Sequence, residues 1–132
     1  MKRLLIDLDG TLTIDEENVA YEDKRANLAL IERLKEYKKE GFIISIFTSR
    51  NMRSFKGDMK RLEKHTLPMI KAWLKKHEVP YDEIILGKAW CGFEGFYVDD
   101  RAIRPSEFVS KGYDEIKELL NAENPLKKGG EQ

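Results

Sequence analysis

One repeated order constrains this chain more than any other feature. A short apolar run of strand length ends abruptly in reactive polar side chains, and a stretch of helical period follows. Leu4-Leu5-Ile6 ends on Asp7 and Asp9, and Phe42 to Phe47 ends on Thr48-Ser49-Arg50-Asn51. Glu83 to Leu86 leads into Gly87-Lys88, and Phe96 to Val98 runs directly into Asp99-Asp100. Between them, Leu28, Ile31, Leu34 and Tyr37 share one helical face, and Met69, Ile70, Trp73, Leu74 and His77 share another. Buried strands that alternate with helices predict an α/β fold whose mostly parallel sheet is covered on both faces. Ligands of such sheets bind beyond the C-terminal ends of the strands, where all four polar clusters lie.

The helix boundaries follow from capping chemistry. Asp23 is expected to cap a helix that runs to about Glu40 and stops at Gly41. Thr66 is expected to cap a second, with Pro68 in its first turn, and Asp114 a third that ends near Ala122. The acidic stretch Thr13 to Asp23 reads as an exposed loop, and Met52 to His65 as a loop with a short helix. A single domain over residues 1–122 accounts for these elements, with a frayed tail at 123–132.

Composition removes several function classes. Across 132 residues, 24 Lys and Arg balance 24 Asp and Glu, so no basic excess favours a nucleic-acid partner. One cysteine precludes an intrachain disulfide and fits a reducing compartment; with two His it cannot supply a structural zinc site. No stretch is long and apolar enough for a signal peptide or a membrane span, so the cytoplasm is the expected location. The sequence leaves the oligomeric state open, a homo-oligomer included.

The strand ends carry chemistry. Asp7 and Asp9 lie two residues apart, on one face of a strand, where two carboxylates repel. A cation relieves that repulsion, and carboxylate ligands suit Mg²⁺, which keeps waters and binds substrate phosphate. Lys88 as a point charge and Thr48 as a hydroxyl donor fit that phosphate. A carboxylate beside the metal can attack phosphorus, and a second can move the proton.

Together, Asp7-Leu8-Asp9-Gly10-Thr11, Thr48, Lys88 and Asp99-Asp100 resemble, in order, the four motifs of the haloacid dehalogenase superfamily of phosphohydrolases. The resemblance covers about residues 1–110. It implies a Rossmann-like three-layer α/β/α domain. Asp7 would be the nucleophile that forms an aspartyl-phosphate, and Asp9 the general acid and base. Thr48, Ser49, Arg50 and Lys88 would bind phosphate. Mg²⁺ would be held by Asp7, the carbonyl of Asp9, Asp99 and Asp100. The stretches Thr48 to Met52, Thr66 to Leu74, Val79 to Ile84 and Gly87 to Phe108 resemble more narrowly the short capsule-biosynthesis phosphatases of that superfamily, although Ala89 stands where they are expected to have proline. The chain leaves no room for a cap domain.

The resemblance implies a Mg²⁺-dependent phosphomonoesterase for a small phosphorylated substrate, a sugar or polyol phosphate of surface polysaccharide synthesis. Two alternatives stand beside it: a phosphatase of nucleotide or polynucleotide ends, and a non-catalytic binding protein. Trp90, Cys91, Phe93 and Phe96 are assigned to core packing or a substrate lip, with Cys91 a packed thiol. Arg50 and Arg101 are candidates for substrate binding and for orienting Asp99 or Asp100, or for structural ion pairs.

Overall fold

The computed structural model describes residues 1–123, so the tail expected at 123–132 lies, after its first residue, outside the described residues. The chain divides into two compact units, Met1–Trp90 and Cys91–Gln132.

The first unit contains strands β1 (Arg3–Ile6), β2 (Ile43–Phe47) and β3 (Glu83–Ile85). They form a mixed α/β architecture with a three-stranded sheet in the order β1-β2-β3, parallel throughout. Register pairs Leu5 with Ser45 and Ile6 with Ile46, and Ser45 in turn with Glu83. β2 is the central strand, which is why Ile44, Ser45 and Ile46 are fully buried. The Ser45 hydroxyl would be costly there without a partner; it accepts Arg3 Nε at 3.0 Å.

The parallel connections are helical, as parallel pairing requires. Helix α1 (Leu28–Lys39) buries Leu30, Ile31, Leu34 and Tyr37. Each buried aliphatic side chain of this kind contributes about 1.5–3 kcal/mol by leaving water. The helix begins later than the sequence suggests. Asn27, not Asp23, is the cap, its side chain accepting the Leu30 N–H, and Leu28 is 70% exposed. Tertiary bonds fix that start: the Asn27 N–H donates to the Leu12 carbonyl at 2.8 Å and its Nδ2 to the Thr11 carbonyl at 3.2 Å. Asp23 instead closes a 3₁₀ turn, Tyr21–Asp23.

The second connection also starts elsewhere. Asp58 caps α2 (Met59–Arg61), which passes through a π turn (Leu62–Thr66) into α3 (Leu67–Lys76). Thr66 has helical dihedrals and no capping role; its hydroxyl donates to Asn51 Oδ1 at 2.8 Å. Pro68 has no N–H to give and crowds the preceding turn, a reason for the ladder to widen just before it. Ile70, Trp73 and Leu74 are buried, whereas Met69 is 41% exposed.

The second unit contains α4 (Pro105–Ser110), which the sequence reading did not anticipate, and α5 (Tyr113–Ala122). Gly112 is the cap of α5 in place of Asp114, its N–H donating to Glu115 Oε1 at 3.1 Å. Phe96 to Val98 does not form the expected fourth strand. It has no ladder, and Phe96 and Val98 are 78% and 89% exposed. β propensity expresses itself only when a partner strand and a packed face are supplied. Cys91 and Phe93 are likewise exposed and not packed in a core, as is Trp90 at the end of the first unit. Among the described residues no helix is long and apolar enough to cross a membrane.

Candidate functional site

Three strand ends of the first unit build the site. Directly after β1 the chain turns on Leu8, whose carbonyl accepts the N–H groups of Thr11, Leu12 and Thr13 at 3.2, 2.9 and 3.0 Å. Leu8 and Leu12 are wholly buried and anchor that turn. Gly10 has φ +80°, and a Cβ there would stand 3.0 Å from Asp15 Oδ2, so both dihedral and space favour glycine.

Asp7, the first residue past β1, is half-buried. Its Oδ2 accepts the Thr11 hydroxyl at 3.2 Å, and its Oδ1 lies 3.5 Å from Lys88 Nζ. Burial raises the Asp7 pKa above the ordinary carboxylate value, against the opposing pull of Lys88, Thr11 and the Leu8 backbone. A carboxylate whose charge is only partly compensated is a natural seat for a further cation.

Lys88 is fixed from the backbone. Thr48 continues the β2–β3 ladder, its N–H donating to the Ile85 carbonyl at 3.1 Å, and the Lys88 N–H donates to the Thr48 carbonyl at 3.0 Å. Gly87 at φ +83° lets the chain turn there and brings Met59 Sδ within 3.1 Å of where a Cβ would be. Thus Asp7, Thr48 and Lys88, far apart in sequence, share one rim, as their strand-end positions predict. The Thr48 side chain is buried and its Oγ1 accepts the Arg50 N–H at 3.1 Å. Ser49 is half-buried, and its carbonyl accepts the Met52 N–H at 3.0 Å.

Arg50 turns to Asp9. Its Nε donates to Asp9 Oδ2 at 2.9 Å and its Nη2 to Oδ1 at 2.8 Å, with the Arg50 side chain only 1% exposed. Lys24 Nζ adds a bond to Asp9 Oδ1 at 3.3 Å and another to Asp15 Oδ1 at 3.1 Å. The Tyr21 ring lies 4.1 Å from the Arg50 guanidinium and 4.8 Å from Lys24 Nζ. Burial pulls the Lys24 pKa down, but Asp9 and Asp15 outweigh it and leave it raised. Trp73 Nε1 donates to the Lys24 carbonyl at 2.9 Å and holds that segment in place.

Sequence reasoning missed Lys24 and Tyr21. Tyr21 lies in the acidic stretch without period and Lys24 in the helix expected after Asp23, and neither carries a local sign that Thr13 bridges Ala26 and folds the segment back. Asp99 and Asp100 are exposed residues of the second unit, where Asp99 Oδ1 accepts the Arg101 N–H at 2.8 Å. Arg101 therefore meets Asp99 through its backbone. Among the described residues no group of three or more His, Cys, Asp or Glu is gathered as a metal site.

No family model matches the chain, and no curated protein matches it. A crystal structure of a structural-genomics target from Vibrio cholerae is similar at 51% identity, with a TM-score of 0.89, over 94% of this chain and 100% of that one. A Pnkp1/Rnl/Hen1 complex is similar at 20% identity and a TM-score of 0.49, over 84% of this chain and 35% of that one, too distant to bear on either fold or chemistry. By its identity over nearly the whole of both chains, this chain belongs to the same family as the Vibrio cholerae protein.

Proposed function

We propose that this chain is a phosphomonoesterase of the haloacid dehalogenase type, a three-layer α/β/α domain without a cap, and that it hydrolyses a small phosphorylated metabolite through an aspartyl-phosphate. The observation that carries this reading is the meeting of Asp7 and Lys88 at 3.5 Å, with Thr48 holding the Lys88 backbone. A nucleophile, a phosphate-binding cation and a hydroxyl on one strand-end rim are what phosphoryl transfer needs.

The donors suit Mg²⁺ in kind. Asp7 offers a partly desolvated carboxylate, and hard oxygen ligands favour this ion. Asp7 and the Asp9 carbonyl, both in the first unit, would hold it. Bound there, Mg²⁺ would neutralise phosphate oxygens and lessen their repulsion from Asp7.

The chain's own groups do the rest. An Asp7 oxygen attacks phosphorus as the ester P–O bond breaks, and Lys88 balances the charge spread over the remaining phosphate oxygens. The Thr48 hydroxyl, which accepts from Arg50, keeps its own hydrogen for a phosphate oxygen. Asp9 gives its proton to the departing alkoxide, then takes one from the water that cleaves the aspartyl-phosphate. Both Asp9 oxygens are held by cations, so one bond must yield; Lys24, the longest of the three contacts, is the one to release. A role in capsule or other surface-polysaccharide synthesis is supported by the sequence resemblance alone.

Phosphate release from para-nitrophenyl phosphate and from a panel of sugar phosphates tests the reading. Activity with Mg²⁺ that vanishes in Asp7→Asn, with the fold intact by circular dichroism, is expected. Undiminished turnover in that variant would refute the nucleophile assignment.

A further inference from the structure

The Lys24 ammonium holds two carboxylates at once, Asp9 Oδ1 at 3.3 Å and Asp15 Oδ1 at 3.1 Å. We infer that Lys24 is a two-seat latch on Asp9, and that Asp15 is a positioning residue. Asp15 keeps the ammonium while Asp9 frees an oxygen for the departing alkoxide and then for water. The inference deepens the phosphomonoesterase reading and rests on it.

The two cations on Asp9 are held differently. Arg50 binds both oxygens through a planar fork and its side chain is 1% exposed, so moving it would strand a buried charge. Lys24 makes one long bond to Oδ1, an oxygen that Arg50 Nη2 also holds at 2.8 Å. Asp9 therefore stays aimed when Lys24 leaves. An ammonium on a flexible four-carbon stem turns its three donors freely, whereas a guanidinium seated in a fork does not.

The second seat is already in place. The Asp15 side chain is 68% exposed against 23% for Asp9, so an ammonium that moves outwards trades a drier partner for a wetter one. It keeps a carboxylate throughout and is never left unpaired in the interior. A Cβ on Gly10 would stand 3.0 Å from Asp15 Oδ2, so the glycine leaves the room this carboxylate occupies beside the turn. The root of the lysine is fixed, because Trp73 Nε1 donates to the Lys24 carbonyl at 2.9 Å. Movement is thereby confined to the end of the side chain, next to the Tyr21 ring at 4.8 Å.

A double-mutant cycle on the full chain with Mg²⁺ tests the latch, using phenyl phosphate and para-nitrophenyl phosphate, which differ in how much the leaving group needs a proton. Asp15→Asn takes the charge from the second seat and leaves Lys24 to Asp9 alone. It should lower kcat for phenyl phosphate about three- to fivefold, the scale of one partly exposed ion pair, with KM unchanged. Single-turnover release of para-nitrophenol should slow less. Asp15→Glu restores a carboxylate and should recover most of the loss. In a Lys24→Met background Asp15→Asn should cost nothing further, since the seat has no ammonium to receive. If Lys24→Met does not fold, the contrast between Asp15→Asn and Asp15→Glu decides. An unchanged kcat in Asp15→Asn, a loss in KM alone, no recovery in Asp15→Glu, or the same loss with and without Lys24 would overturn the latch. Phosphate release that depends on Asp7 would in each case leave the phosphatase reading standing. A wild-type chain that hydrolyses neither ester would overturn both.

Discussion

Arg50 grips both oxygens of Asp9, through Nε at 2.9 Å and Nη2 at 2.8 Å, and so ties the end of β2 to the turn after β1. The guanidinium is almost wholly buried while the carboxylate is 23% exposed, so the pair sits where the rim meets the interior. A planar fork matched to a carboxylate fixes orientation as well as distance. Asp9 is thereby aimed, which a proton-transfer group needs.

Arg50→Ala should destabilise the fold by about 3 kcal/mol, because a buried charge pair loses one member and the Tyr21 ring loses its cover. Arg50→Lys keeps the charge but not the fork and should lose about 1.5 kcal/mol, the scale of one charge-assisted hydrogen bond. Urea unfolding measures both. A wild-type midpoint in Arg50→Ala would show the pair to be idle.

Asp9→Asn separates the proton role from a positioning one. Esters with poor leaving groups, such as sugar phosphates, should slow by about 10²–10⁴. Para-nitrophenyl phosphate needs little protonation and should lose less in its first step, with a burst before slow turnover. Single-turnover kinetics read the two steps apart. Equal losses for both esters would assign Asp9 to orientation only.

Metal removal gives a third expectation. Excess chelator should abolish phosphate release and leave the melting temperature nearly unchanged, since the sheet and helices described above need no ion to bury their core. Full activity in chelator would exclude the proposed metal role.

Acid stability should depend on Asp82. Its Oδ2 accepts the Ile44 N–H at 2.8 Å while its own N–H donates to the Ile44 carbonyl at 2.8 Å, and Lys38 pairs with its other oxygen. The Ile44 bond, then Lys38, lower its pKa. A carboxylate with a lower pKa in the folded than in the unfolded chain adds stability that is complete above the unfolded value, near 3.9, and fades as pH falls through the folded one. Asp82→Asn should therefore melt earlier than wild type at neutral pH, and the difference should narrow below about pH 4. A gap independent of pH would remove the linkage.

The alternation of strands and helices, and the strand-end positions of Asp7, Thr48 and Lys88, are legible in local patterning alone. Apolar runs and helical period are local, and a parallel sheet necessarily gathers the C-terminal ends of its strands on one edge. Tertiary structure decided the rest. Asn27 displaced Asp23 as the cap because its backbone and side chain bind Thr11 and Leu12. Phe96 to Val98 has the composition of a strand and no ladder, since pairing depends on a partner that composition cannot supply. Arg50 and Asp9 are 41 residues apart, and Lys24 and Asp9 15 apart. Nothing local in either segment encodes the other's position, so which cation meets which carboxylate was settled only when the chain closed on itself.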